Sequence, residues 1–257
     1  KKTIIGGNIN IPLITAIENN DMNAIIQLLD NGLNVNELYF NDVEINNQNI
    51  RHSYTALIYA IYNDNIELIQ LFMDRGADIN KKDLNGFTPL MLAIERNHFE
   101  NADIVNLLLD NGANVNAKSN DGKTALMIAS NVNELGIVIR LVQMNASINT
   151  QDNDGWTALM YAINEQHIDI AVFLINRGAD FETLRNDDDL TAEDMVLNMA
   201  NMAHDDNDNN DDNDNNDDVR IIREMEKMKR LNTFKDAWSS KTHTNPDDIS
   251  SKVLEYM

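Results

Sequence analysis

A threonine followed by Ala-Leu or Pro-Leu returns along this chain at a nearly fixed interval, and that interval restricts the fold more than any other feature. The copies are Thr55-Ala-Leu-Ile-Tyr-Ala60, Thr88-Pro-Leu-Met-Leu-Ala93, Thr124-Ala-Leu-Met-Ile-Ala129 and Thr157-Ala-Leu-Met-Tyr-Ala162. From Thr55 through Thr88, Thr124 and Thr157 to Thr191 the steps are 33, 36, 33 and 34 residues. Each copy continues through a second apolar stretch to an exit turn of the Gly-Ala-Asp/Asn-Val/Ile-Asn type, from Gly76 to Asn80, Gly112 to Asn116, Asn145 to Asn149 and Gly178 to Phe181. A fainter first copy runs from Pro12 to Asn36. Periods of this length mark a solenoid, in which each unit buries its apolar face against its neighbours.

Inside a copy the apolar positions follow helical spacing twice. In the third, Leu90, Ala93 and Ile94 share one face of a short helix, and Ile104, Val105, Leu108 and Leu109 share a face of a second. Thr88 stands where an N-cap belongs and Pro89 fits the first helical position. Gly112 ends the second helix, where a left-handed residue is wanted. The fourth copy has Asn145 at that position, the side chain that best tolerates the same conformation after glycine.

These residues resemble the ankyrin repeat, in which a tight turn leads into Thr-Pro-Leu-x-x-Ala on an inner helix, then an outer helix, then a Gly-Ala-Asp-x-Asn exit. The resemblance implies an all-α solenoid of stacked helix-turn-helix pairs with β-hairpin-like turns. The usual histidine after Thr-Pro-Leu is replaced by Ile58, Met91, Met127 and Met160, which exchanges a hydrogen bond between repeats for apolar packing. In ankyrin proteins the variable columns of the concave face carry the contacts. The residue before the Thr column gives Tyr54, Phe87, Lys123 and Trp156; the end of the inner helix gives Tyr62, Arg96 and Val132; the residue before the exit glycine gives Arg75 and Arg177. Aromatics and arginines are the types enriched at binding hot spots, so these nine are the expected partner-binding residues. Tyr59 and Tyr161 fall on a core-facing column and read as packing residues with a hydroxyl reaching an edge.

Three interruptions break the array. About eleven extra residues lie around Glu37 to Ser53, three more near His98 to Ala102, and the sixth copy dissolves after Asp194 into an Asp/Asn tract. The expected organisation is ankyrin repeats over 8–203, a disordered acidic insertion over 204–218, and C-terminal helices over 219–257, the first being the displaced outer helix of the sixth repeat. Arg220, Arg223, Lys227, Lys229 and Arg230 would let the tract fold back on that helix.

Composition narrows the chemistry. Forty-two acidic residues against 20 basic give a formal net charge of −22, which disfavours direct binding to nucleic acid or an anionic membrane. There is no cysteine, so thiolate metal sites and disulfides are excluded and a cytoplasmic or other intracellular setting is expected. No apolar run approaches the roughly 20 residues of a membrane span. Lys1-Lys2-Thr-Ile-Ile begins like a secretory leader, but Gly6-Gly7-Asn8 cuts it short.

No catalytic, cofactor or metal site is expected. Ala117 to Thr124 approaches a phosphate-binding loop, yet lacks the first glycine and a preceding strand. His98 and His167 share a column between helices, and no pair has zinc-ligand spacing. The acidic tract lacks the glycine and terminal glutamate of a calcium loop. Acids such as Asp152 and Asp154 sit at turn positions where they bond their own backbone. The reading is therefore a monomeric protein-interaction scaffold. The alternatives are an adaptor or inhibitory subunit recruiting an enzyme through residues 231–257, and a nucleotide- or calcium-binding protein.

Overall fold

A computed structural model describes residues 11–45, 48–96, 102–205 and 220–230. The chain forms two compact units, one ending at Ser147 and including Gln151–Asn153, the other Ile148–Thr150 with Asp154 onward.

The first unit is four helix pairs. Their inner helices are α1 (Ile11–Glu18), α3 (Ala56–Tyr62), α5 (Pro89–Arg96) and α7 (Ala125–Asn131), and their outer helices are α2 (Met22–Asp30), α4 (Ile66–Asp74), α6 (Asp103–Asp110) and α8 (Leu135–Gln143). Helices of seven to nine residues are too short to persist alone, so each needs a cap and a packed face. The Thr column supplies the caps: Thr55, Thr88 and Thr124 accept from the amides of Ile58, Met91 and Met127 at 3.2, 3.3 and 3.4 Å. These threonines are themselves buried, so truncating one would leave a first-turn amide without a partner and away from water. Inner helices α3, α5 and α7 pack side by side, with Ile58, Met91 and Met127 fully enclosed where the family usually has histidine.

Exit turns lock one pair to the next through asparagine. Asn36 donates to the Gly76 carbonyl at 2.9 Å and accepts from the Asp78 amide at 2.6 Å, and Asn116 repeats this with Asn145 and Ser147 at 3.2 and 2.8 Å. One side chain thus satisfies a donor and an acceptor that the helix end leaves without partners. Gly112 and Asn145 both adopt the left-handed conformation expected of their column, at φ 86° and 62°.

The segment around Glu37 to Ser53, where the extra residues interrupt the array, is in large part an antiparallel ribbon of β1 (Tyr39–Ile45) and β2 (Gln48–Tyr54). Tyr39 pairs with Tyr54 and Ile45 with Gln48. Tyr39, Phe40, Val43, Ile45, Ile50 and Tyr54 supply strand-favouring residues. Repeat periodicity carries no information about an insertion, so the ribbon was legible only from its own composition. The three extra residues near His98 fall largely outside the described residues.

The second unit contains α9 (Ala158–Asn164), α10 (Ile168–Asn176), α11 (Ala192–Asp205) and a helix over 220–230. Thr157 caps α9 through the Met160 amide at 3.2 Å. Thr191 and Asp194 form a reciprocal capping box on α11, with amide-to-side-chain distances of 3.0 and 3.1 Å. Asn149 locks the turn at Gly178 and Asp180 as Asn116 does in the first unit. Ile221 and Met225 of the 220–230 helix are buried, Arg220 pairs with Asp169 of α10 at 2.8 Å, and Lys229 reaches Glu193 of α11 at 2.6 Å. His204 and Asp205, expected at the start of the disordered insertion, instead end α11; the rest of the acidic tract and residues 231–257 lie outside the described residues.

Candidate interaction face

The inner helix α3 gathers three tyrosines. Tyr54 enters from the end of β2, immediately before the Thr55 cap, while Tyr59 and Tyr62 rise from α3 itself. The Tyr54 ring meets Tyr59 at 5.8 Å and Tyr62 at 5.0 Å, both edge-on, at interplanar angles of 64° and 78°. Arg96, one repeat later, lays its guanidinium 4.6 Å from the centre of the Tyr62 ring and donates to the Tyr62 carbonyl at 3.0 Å. Tyr59 donates its hydroxyl to Glu18 of the preceding inner helix at 3.0 Å. All three rings remain half-buried, whereas Ala56, Leu57, Ile58, Ala60 and Ile61 between them are enclosed.

Burial, followed by the field of Tyr62 and of Asp83, pushes the Tyr54 phenol up to about 12; burial and the bond to Glu18 push Tyr59 up to about 12 as well. Tyr62 is also raised, by burial first and then by Asp83, with Arg96 opposing. The folded state therefore holds protons that the unfolded chain releases above pH 10, and stability falls as pH rises from there towards 12. A phenolate absorbance titration should show Tyr54 and Tyr59 ionising after exposed tyrosine. Simultaneous ionisation of all six tyrosines near the ordinary value would refute this.

The other expected residues divide by helix. Phe87 is half-buried just before Thr88, on a turn where Asp83 accepts from the amides of Asn85 and Phe87 at 2.9 and 2.8 Å. Lys123 and Val132 flank α7 at its two ends, both half-buried. In the second unit Trp156 precedes Thr157 and packs at 5.3 Å against Tyr161. Arg75 and Arg177 belong elsewhere. They cap the C-termini of outer helices α4 and α10, where Arg75 pairs with Asp30 at 2.8 Å and Arg177 lies over Phe173 of its own helix. The structure does not bring Arg75 to the tyrosine group. Spacing placed it in a variable column, but at this position the side chain turns to Asp30 of the neighbouring outer helix. Tyr59 and Tyr161, read as packing residues, are half-buried and pack against Tyr54 and Trp156.

The loop resembling a phosphate cradle uses its own amides. Gly122 donates to Ser119 at 3.0 Å, Lys123 to the Ser119 hydroxyl at 3.0 Å, and Thr124 to the Met127 sulfur at 3.3 Å. Amides bonded in this way cannot converge on a phosphate. A groove beside outer helices α6 and α8 holds Asp110 and Arg140, paired to each other at 2.5 Å. C-terminal cations also have acidic partners: Arg220 with Asp169, Lys227 with Glu224, Lys229 with Glu182 and Glu193, and Arg230 with Glu226. Half-buried His167 stands at the N-cap position of α10. Among the described residues, no three His, Asp or Glu side chains are grouped to hold a metal, and no helix is long and apolar enough to cross a membrane.

Short capped helix pairs, turns locked by asparagine, and aromatics left half-exposed beside a sealed core define a repeat scaffold. A family model for ankyrin repeats (3 copies) matches residues 13–119 and 97–184, well over half of the sequence, and the chain belongs to the ankyrin-repeat family. Ankyrin repeats generally mediate protein–protein interaction and form a non-enzymatic interaction fold. The chain is 41% identical over 44 residues to potassium channel AKT1 of Arabidopsis thaliana, covering 17% of this chain and 5% of that protein. It is 29% identical over 92 residues to potassium channel AKT1 of Oryza sativa subsp. indica and of subsp. japonica, covering 36% of this chain and 9% of each. The chain thus spans under a tenth of the length of these relatives.

Proposed function

We propose that this protein is an interaction scaffold that holds another protein on its inner-helix face. Tyr54, Tyr62, Phe87, Arg96, Lys123 and Val132 form the contact positions of the first unit, and Trp156 those of the second. The observation that carries this reading is the partial exposure of Tyr54, Tyr62, Phe87 and Trp156 next to a Thr column and core that are sealed. Large aromatics held at a surface by rigid helices lose little conformational freedom on binding, which is why they dominate interfaces. Arg75 and Arg177, at outer-helix ends, stand outside this surface.

The 220–230 helix acts as the outer helix of the sixth repeat. It covers apolar surface through Ile221 and Met225 and is fastened by Arg220 and Lys229, the role a solenoid assigns to its terminal cap.

The test is affinity capture with the full chain, repeated with Phe87→Ala, Trp156→Ala and Tyr62→Ala, each first checked for an unchanged melting profile. A protein partner should weaken by about tenfold or more with at least one substitution, as expected for a hot-spot aromatic. A partner retained equally by all three variants would overturn the inner-helix face as the binding surface.

A further inference from the structure

The tyrosine cluster has a chemical preference as well as a location. We infer that it receives a cationic side chain, so that the segment docking on the first unit carries Lys or Arg at its anchor position. The inference rests on the reading of this face as an interaction surface and adds the partner's chemistry.

Two independent observations converge. The first is the Arg96–Tyr62 contact at 4.6 Å, in which a guanidinium already occupies one ring face of this group. Tyrosine faces carry negative potential, and the three rings, held edge-on to one another by Tyr54, all stay half-buried. The second is local charge. Glu18 accepts from the Tyr59 hydroxyl, Asp83 acts on both Tyr54 and Tyr62, and Glu95 acts on Tyr62, whereas among the described residues Arg96 is the cation acting on Tyr54 and Tyr62. Among the described residues, carboxylates therefore outnumber the guanidinium around the rings, and an added cation would meet both aromatic rings and a negative field. The net charge of −22 draws basic segments towards the chain over longer distances. An acidic segment would have to recruit Arg96, which is already stacked and bonded to the Tyr62 carbonyl, against the surrounding carboxylates.

The experiment selects random displayed peptides on the full chain, then measures a recovered peptide against the wild type, Tyr54→Phe, and the pair Tyr54→Leu/Tyr62→Leu. The expected peptides carry a fixed Lys or Arg. Binding should persist in Tyr54→Phe, which keeps the ring, and fall by about tenfold in the leucine pair and when the peptide's anchor is changed to Met. Should the leucine pair fail to fold, the anchor substitution on the wild type decides alone. Peptides anchored by acidic or apolar residues, yet dependent on the two rings, would overturn the cation and keep the face. Peptides indifferent to both rings would overturn both.

Discussion

Phe72→Ala is expected to destabilise the first unit by about 3–5 kcal/mol, the cost of deleting an enclosed aromatic from a core that cannot fully collapse. Phe72 is 0% exposed and shares the buried face of α4 with Leu68 and Ile69, which are equally sealed. In a repeat stack that face is the main attachment of an outer helix to its inner partner, so the cavity opens at the seam of one repeat. Each unit of a solenoid depends on nearest neighbours, and a weak seam should spread the loss to the adjoining pairs. Phe72→Leu should cost clearly less because it retains most of the volume. Urea unfolding followed by helical ellipticity measures both. A midpoint for Phe72→Ala equal to that of the wild type would mean that α4 contributes nothing to the cooperative unit.

Gly122→Ala is the second large effect, at about 2–4 kcal/mol, and the comparison with Gly112 makes it informative. Both glycines are left-handed, at φ 80° and 86°. A Cβ on Gly112 meets nothing within 4 Å, so Gly112→Asn should cost under about 1 kcal/mol, as Asn145 in the same column indicates. A Cβ on Gly122 would stand 2.8 Å from the Asn153 amide nitrogen and 3.0 Å from Asp152 Cα. The turn would have to move, and with it the Asn153 amide bonded to the Asp121 carbonyl at 2.9 Å. Denaturation midpoints of the two variants give the ordering directly. Equal costs would show that backbone strain, and not the close approach, sets the requirement for glycine.

The candidate face was legible only in part. Spacing located Tyr54, Phe87, Lys123 and Trp156 because each precedes a capping Thr, and capping is a local event written within a few residues. It could not distinguish Arg96 from Arg75. Both occupy variable columns, yet one stacks on Tyr62 and the other pairs with Asp30 at the end of an outer helix. Nor could it join Tyr54 to Tyr59 and Tyr62, since the approach of three side chains depends on how β2 delivers Tyr54 to α3. Glu18, at the hydroxyl of Tyr59, lies 41 residues away in sequence and carried no signal of its own.

By itself the sequence determined the family, the helix pairs, their Thr caps and the left-handed exits at Gly112 and Asn145. Helical hydrogen bonds and caps are short-range, and repetition writes the same local solution several times over. Tertiary structure decided the rest: that the insertion is largely a ribbon, that Gly122 abuts backbone while Gly112 faces open space, and that three tyrosines and Arg96 share one surface. Those outcomes depend on the offset between one repeat and the next, a long-range geometry that no single repeat encodes.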